Sequence, residues 1–198
     1  VRKYLSKHAD PHSRAAELIT GCFDHGVMIP AFAEGRAVTD ALASIPAAPG
    51  GVLVVAVVNR PDDASPAQVA RHDESLAAIE ARWPRMEGAS TDALAPFAAL
   101  HAWPQGRLLV LDVRVSRRRG VGLARKIGCD VLLRLWAKGA LRQPWLHMSD
   151  ADARWPADFF ERAAFTAPAT PAPAALIRTY VHEAASEDHA EACLRYEA

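Results

Sequence analysis

Cysteine is scarce in this chain. Cys22, Cys129 and Cys193 are the only three in 198 residues, far apart and with no C-x-x-C pair among them. An odd, scattered set argues against a disulfide framework or a zinc knuckle and suits a reducing compartment, so a cytoplasmic location is expected. Net charge is missing as well. Lys+Arg and Asp+Glu stand at 23 each, so no basic surface advertises nucleic acid, and none is expected as a partner. No stretch approaches the roughly 20 apolar residues of a membrane helix, so no transmembrane segment is expected. The opening VRKYLSKHADPHSR has basic residues but no apolar segment of the kind a signal peptide needs. The final SEDHAEACLRYEA starts a helical pattern without a stop signal, and the first residue is Val, so the native chain is expected to continue.

What is present is an ordinary globular composition, 51% hydrophobic and 23% charged, over a length that suits one domain. Apolar runs alternate with helical spacing. A short helix is expected over 13–20. A strand follows over 24–34, with Val27, Met28 and Ile29 at its centre and Pro30 ending it. A helix over 36–45 carries Val38, Leu42 and Ile45 on one face. GVLVVAVVN, at 51–59, is continuously apolar, the pattern of a central parallel strand covered on both faces. A helix over 66–83 has the stripe Val69, Leu76, Ile79 and Trp83. Residues 85–105 read as a loop with one short helix near 91–100, and GRLLVLDVRV, at 106–115, as a third strand containing Asp112. This alternation of strands and helices implies an α/β fold with a mostly parallel sheet.

Residues 145–156, WLHMSDADARWP, are the stretch around which the rest makes most sense. Trp145, Leu146 and Met148 suggest a short buried strand, and Pro156 suits the first turn of a following helix, ADFFERAAF. Asp150 and Asp152 then lie at a strand end, where open α/β sheets place ligands. Carboxylates one residue apart can hold a hard divalent cation, Mn²⁺ or Mg²⁺, which keeps waters and shares substrate phosphates. The same residues also suit a solvated turn with a helix-capping Asp.

A second pattern precedes it. SRRRGVGLARKIGCDVLLRLWAKGA has helical spacing from Val121 onward, with Gly120-x-Gly122 at its start and Arg117, Arg118, Arg119, Arg125 and Lys126 close by. Free backbone N–H groups and positive charge there suit a diphosphate; a solvated basic loop is the plainer reading. The connector TAPATPAPAA and a possible strand LIRTYV follow the D-x-D region.

The order MIPAFAE, VLVVAVVN, RRRGVGLARKIGCD and SDADARWPADFFE resembles a family 2-like glycosyltransferase of the GT-A fold. The resemblance covers about 23–165, leaving 166–198 as connector and the start of a short acceptor half within a single domain spanning the chain. It implies a Rossmann-like three-layer sandwich, with helices on both faces of a central, mostly parallel sheet. It also implies a nucleoside diphosphate sugar donor, a divalent metal on the diphosphate, and transfer, by an inverting mechanism, to a glycan, lipid or small-molecule acceptor hydroxyl. By that resemblance Pro30, Ala31 and Glu34 would border the nucleotide, and Asn59 and Asp62 the base or ribose. Gly122, Arg125 and Lys126 would lie along the donor. Asp150 and Asp152 match D-x-D, with Asp152 the direct metal ligand and His182 a third. The family's catalytic base lies after D-x-D, which leaves Glu183, Glu187 and Asp188 as candidates by position.

Two alternatives stay open on the sequence. A nucleotidyltransferase would use a related sheet and acidic site, but it usually carries a glycine-rich basic loop where this chain has AFAEG. A non-catalytic nucleotide-sugar-binding module would bind donor without turnover.

Overall fold

A computed structural model describes residues 1–87, 93–94, 96–116 and 120–165. The chain divides into two compact units, Val1–Phe160 and Glu161–Ala198. The first is a mixed α/β unit built on one five-stranded sheet. Its strands are β1 (His25–Ala31), β2 (Val52–Pro61), β3 (Ala98–Trp103), β4 (Gly106–Val115) and β5 (Leu146–Met148). Their order is β3-β4-β2-β1-β5, all parallel except β3, which runs antiparallel to β4. Among the described residues no helix is long and apolar enough to cross a membrane.

The helices are α1 (Arg2–Lys7), α2 (Val38–Ser44), α3 (Pro66–Arg82), α4 (Gly120–Ala137) and α5 (Phe159–Phe165). Alternation along each strand sorts the core into two layers. Val27, Ile29, Val54, Val58 and Val110 pack with Leu42 of α2 and Ile79 of α3. Met28, Leu53, Val55, Val57 and Leu109 pack with Ala124, Ile127 and Val131 of α4 on the other face. Gly128 lets α4 come this close: a Cβ there would lie 2.2 Å from Met28 Cγ. The start of α3 is set by a capping box, in which the Ser65 side chain accepts from Gln68 N–H and the Gln68 side chain accepts from Ser65 N–H.

Several expectations are corrected. Pro30 does not end β1 but sits within it, opposite Val57. Its missing N–H would point toward β5, whose pairing stops at Met148 opposite Met28, so no ladder bond is lost. The 85–105 stretch is not a loop with a helix near 91–100: residues 98–103 form β3, joined to β4 by a two-residue turn at Pro104–Gln105. Ala-rich AALHAW has little strand propensity of its own, and pairing to β4 decides its state. β5 is a half-exposed edge strand, with Met148 58% exposed, rather than a buried one. The helix after it starts at Phe159, three residues beyond Pro156. The expected 13–20 helix is a 3-10 helix over Pro11–Leu18, capped by Asp10, which accepts from His12 N–H.

Candidate functional site

The order of the strands locates the site. From β1 the chain steps to β2 and then outward to β4, with α2 and α3 on one face. It then returns through α4, on the opposite face, to β5 beyond β1. A crevice opens outside the carboxyl ends where such a sheet reverses direction. There a cleft of about 340 Å³ is lined by Pro30, Phe32, Glu34, Asn59, Val121, Arg125, Asp150, Ala151 and Asp152.

Each wall has a local cause. Asn59 follows Val57 on the α4 side of β2 by strand alternation. It is only 3% exposed, and its Oδ1 has no hydrogen-bond partner. A buried amide oxygen left without a donor is costly, so it marks a place where a ligand N–H or O–H gains. The turn after β1 carries Phe32 and Glu34. Ala33 there adopts φ 56° and Gly35 φ 60°, left-handed conformations that put strain on the alanine. Arg71 of α3 holds this turn by donating from Nε to Ala33 O at 3.2 Å and from Nη2 to Glu34 O at 3.3 Å.

The acidic rim follows β5. Ser149 N–H donates to Met28 O, and Ala153 N–H to Asp150 O, closing a tight turn. Ala151 is buried between the two exposed aspartates and turns both carboxylates outward. Arg125, one turn into α4, donates from Nη2 to Asp150 Oδ1 at 2.5 Å. Burial first, then the negative charge of Asp152 and Asp150, pushes the Glu34 carboxyl above its ordinary value; Arg71 and a Phe32 backbone hydrogen bond offset part of this.

That shift has a signed consequence. Glu34 is neutral in folded and unfolded chains below its ordinary value of 4.5. As pH rises through the raised folded value, the unfolded chain has already released its proton, so stability falls across that window and stays lower above it. Glu34→Gln is expected to raise the melting temperature at neutral pH by about 1–2 °C, small because the side chain is partly solvated, and to change nothing near pH 4. Thermal melts of both proteins across that range check it.

Other expected site residues lie elsewhere. Ala31 faces the α2–α3 layer, buried with Val58 and Val38, because alternation sends it to the face opposite Pro30. Lys126 is turned about 100° from Arg125 around the helix. It donates to His8 O at 2.7 Å and to Asp130 Oδ2, and lies over the Tyr4 ring, away from the cleft. Asp62 is exposed in the turn after β2, and Gly122 is exposed in the first turn of α4; neither lines the cleft. Asp112 is hydrogen-bonded to the buried His72 at 2.9 Å, which holds its carboxyl below the usual range. His182, Glu183, Glu187, Asp188 and Arg117–Arg119 lie outside the described residues.

Sequence reasoning missed Phe32 and Val121. They are 42% and 50% exposed at the cleft, an apolar contribution to an otherwise polar site. The signal for Phe32 was an aromatic placed directly after a strand end, a position where a side chain is not needed for the core.

Among the described residues no group of three His, Cys, Asp or Glu is arranged to hold a metal ion. Two adjacent, outward carboxylates with Glu34 nearby fit a different case, a hard cation that takes one or two protein oxygens and completes its shell with water and phosphate. Comparison of the chain with protein-family models, curated proteins and solved structures found no match.

Proposed function

We propose that this chain is the donor-binding part of a glycosyltransferase of the GT-A, Rossmann-like type, using a nucleoside diphosphate sugar. The observation that supports it is one cleft, at the reversal of strand order, combining a buried unpartnered Asn59 oxygen with Arg125 and the outward pair Asp150 and Asp152. Asn59 and exposed Phe32 suit a planar, hydrogen-bonding group such as a base. Arg125 suits phosphate oxygens, which a guanidinium can grip with two parallel donors. Asp150 and Asp152 would hold a Mn²⁺ or Mg²⁺ ion. When bound, such an ion would offset the charge that develops on the departing diphosphate. Arg125 would share that role from the helix side.

Sugar transfer needs a group that takes the proton of the acceptor hydroxyl. The candidates by position for this role are Glu183 and Asp188, with His182 as a candidate metal ligand, all three outside the described residues. The reaction would be inverting, with a glycan, lipid or small molecule as acceptor.

Calorimetric titration of UDP, GDP, CDP and dTDP tests the reading, with Mn²⁺ and then with EDTA. Selective binding of one nucleotide that disappears with EDTA is expected. A folded protein that binds none of the four under either condition would sink the donor-site assignment. Donor hydrolysis or transfer then separates an enzyme from a binding module.

A further inference from the structure

We propose that the cleft binds its divalent cation and its diphosphate more tightly together, as one chelate, than either alone, and that Arg125 couples the two. The proposal rests on the donor-site reading and specifies the form in which the ligand is bound.

The rim holds a charge arrangement that suits neither component alone. Arg125 donates to Asp150 across the cleft at 2.5 Å, with the two side chains 43% and 58% exposed. Asp150 is therefore already engaged by a cation that belongs to the protein. A bare metal ion meets that guanidinium's positive charge beside the carboxylate it would take, and competes with it for Oδ1. A bare diphosphate meets the carboxylates of Asp152, Asp150 and Glu34, which line the same cleft and carry its own sign of charge. The chelate resolves both conflicts in one exchange of partners. Asp150 passes from guanidinium to metal, and Arg125 passes from carboxylate to phosphate oxygen.

The acidic cluster does not stand alone as a sign of a ligand. Asn59, almost fully buried in the wall of the same cleft, has an amide oxygen with no partner. The cleft thus combines a buried, unpartnered polar group in its wall with an exposed charge pair.

An exposed ion pair is a weak lock. Releasing it should change affinity by about fivefold rather than a thousandfold. Mn²⁺ alone, pyrophosphate with EDTA, and the preformed Mn²⁺–pyrophosphate complex would be titrated into the wild type, Arg125→Gln, Asp150→Asn and Arg154→Gln. All four would be checked for an intact melting transition. In the wild type the complex should bind at least ~10-fold tighter than either component, about 1.4 kcal/mol. Arg125→Gln should bind bare Mn²⁺ about fivefold tighter than wild type and the complex more weakly. Asp150→Asn should bind bare pyrophosphate more tightly, because it frees Arg125. Arg154→Gln removes an equal charge two residues from Asp152 and should leave Mn²⁺ affinity unchanged.

The proposal is overturned if Arg125→Gln leaves bare Mn²⁺ binding unchanged, or if Arg154→Gln tightens it equally, which would reduce the effect to overall charge. It is also overturned if the complex binds no better than its parts. If the pyrophosphate arms behave as expected while no nucleoside diphosphate binds, Arg125's role stands and the donor reading fails.

Discussion

Replacing Asp150 and Asp152 together by alanine is expected to lower Mn²⁺-dependent nucleotide affinity by at least ~100-fold while leaving the fold intact. Outer groups that merely orient a metal's ligands already cost about 10–100-fold when removed, so losing both direct oxygens should cost no less. The fold should survive because both side chains are exposed and the turn is held by other bonds. Ala153 N–H still donates to Asp150 O, Trp155 N–H to the Ser44 hydroxyl, and Ala151 stays buried. Loss of the Arg125 partner costs little in water, and removal of two charges near Glu34 offsets it. Calorimetry with Mn²⁺ and EDTA, paired with thermal melts, reads both halves. Unchanged metal-dependent binding in the double variant would move the cation site away from D-x-D.

The largest effect on stability is expected far from the cleft, at Asp130. This α4 residue is 2% exposed. Its Oδ1 accepts from Tyr4 Oη at 2.8 Å, and its Oδ2 accepts from Asp10 N–H at 2.8 Å and from Lys126 Nζ. Arg134, one turn on, donates to Ser13 Oγ at 2.7 Å and to Leu5 O. α1, which has no buried residue, is thus fastened to α4 through polar groups, while Ala15, Ala16 and Leu18 of the following 3-10 helix pack into the α4-side core. Asp130→Ala removes the shared acceptor of three donors at once, two of them partly exposed, and losing such a partly buried set should cost about 3 kcal/mol. For a chain of this size that is roughly 6–12 °C in melting temperature. Tyr4→Phe removes one donor and should cost only about 1 kcal/mol. Urea denaturation of the three proteins checks the ranking. Equal losses in both variants would mean that the Tyr4 bond alone carries the clasp.

Much of the scaffold was legible because its signals are local. Nine successive residues of the Val-rich 51–59 run admit little but a central strand, and the stripe Val69, Leu76, Ile79 and Trp83 marks α3. β4 lies at 106–115, as its apolar run indicates. β3 was not legible, because an alanine-rich hexapeptide becomes a strand only once β4 offers it an edge.

The candidate site divides in the same way. Sequence alone determined which residue types stand at the strand ends: Glu34 after β1, Asn59 on β2, and the two aspartates after β5. It also placed Arg125 early in a helix, because strand and helix limits are written in short-range patterns of apolar and turn residues. Only the tertiary structure decided which of these meet. It turned Arg125 into the cleft and Lys126 to the N-terminal clasp, one residue apart on the same helix. It sent Ala31 to the opposite face of the sheet from Pro30, and it left Asn59 buried with an unpartnered oxygen. The physical reason is that a side chain's direction depends on how a helix is rotated and packed against the sheet, and that is set by contacts between residues far apart in the chain.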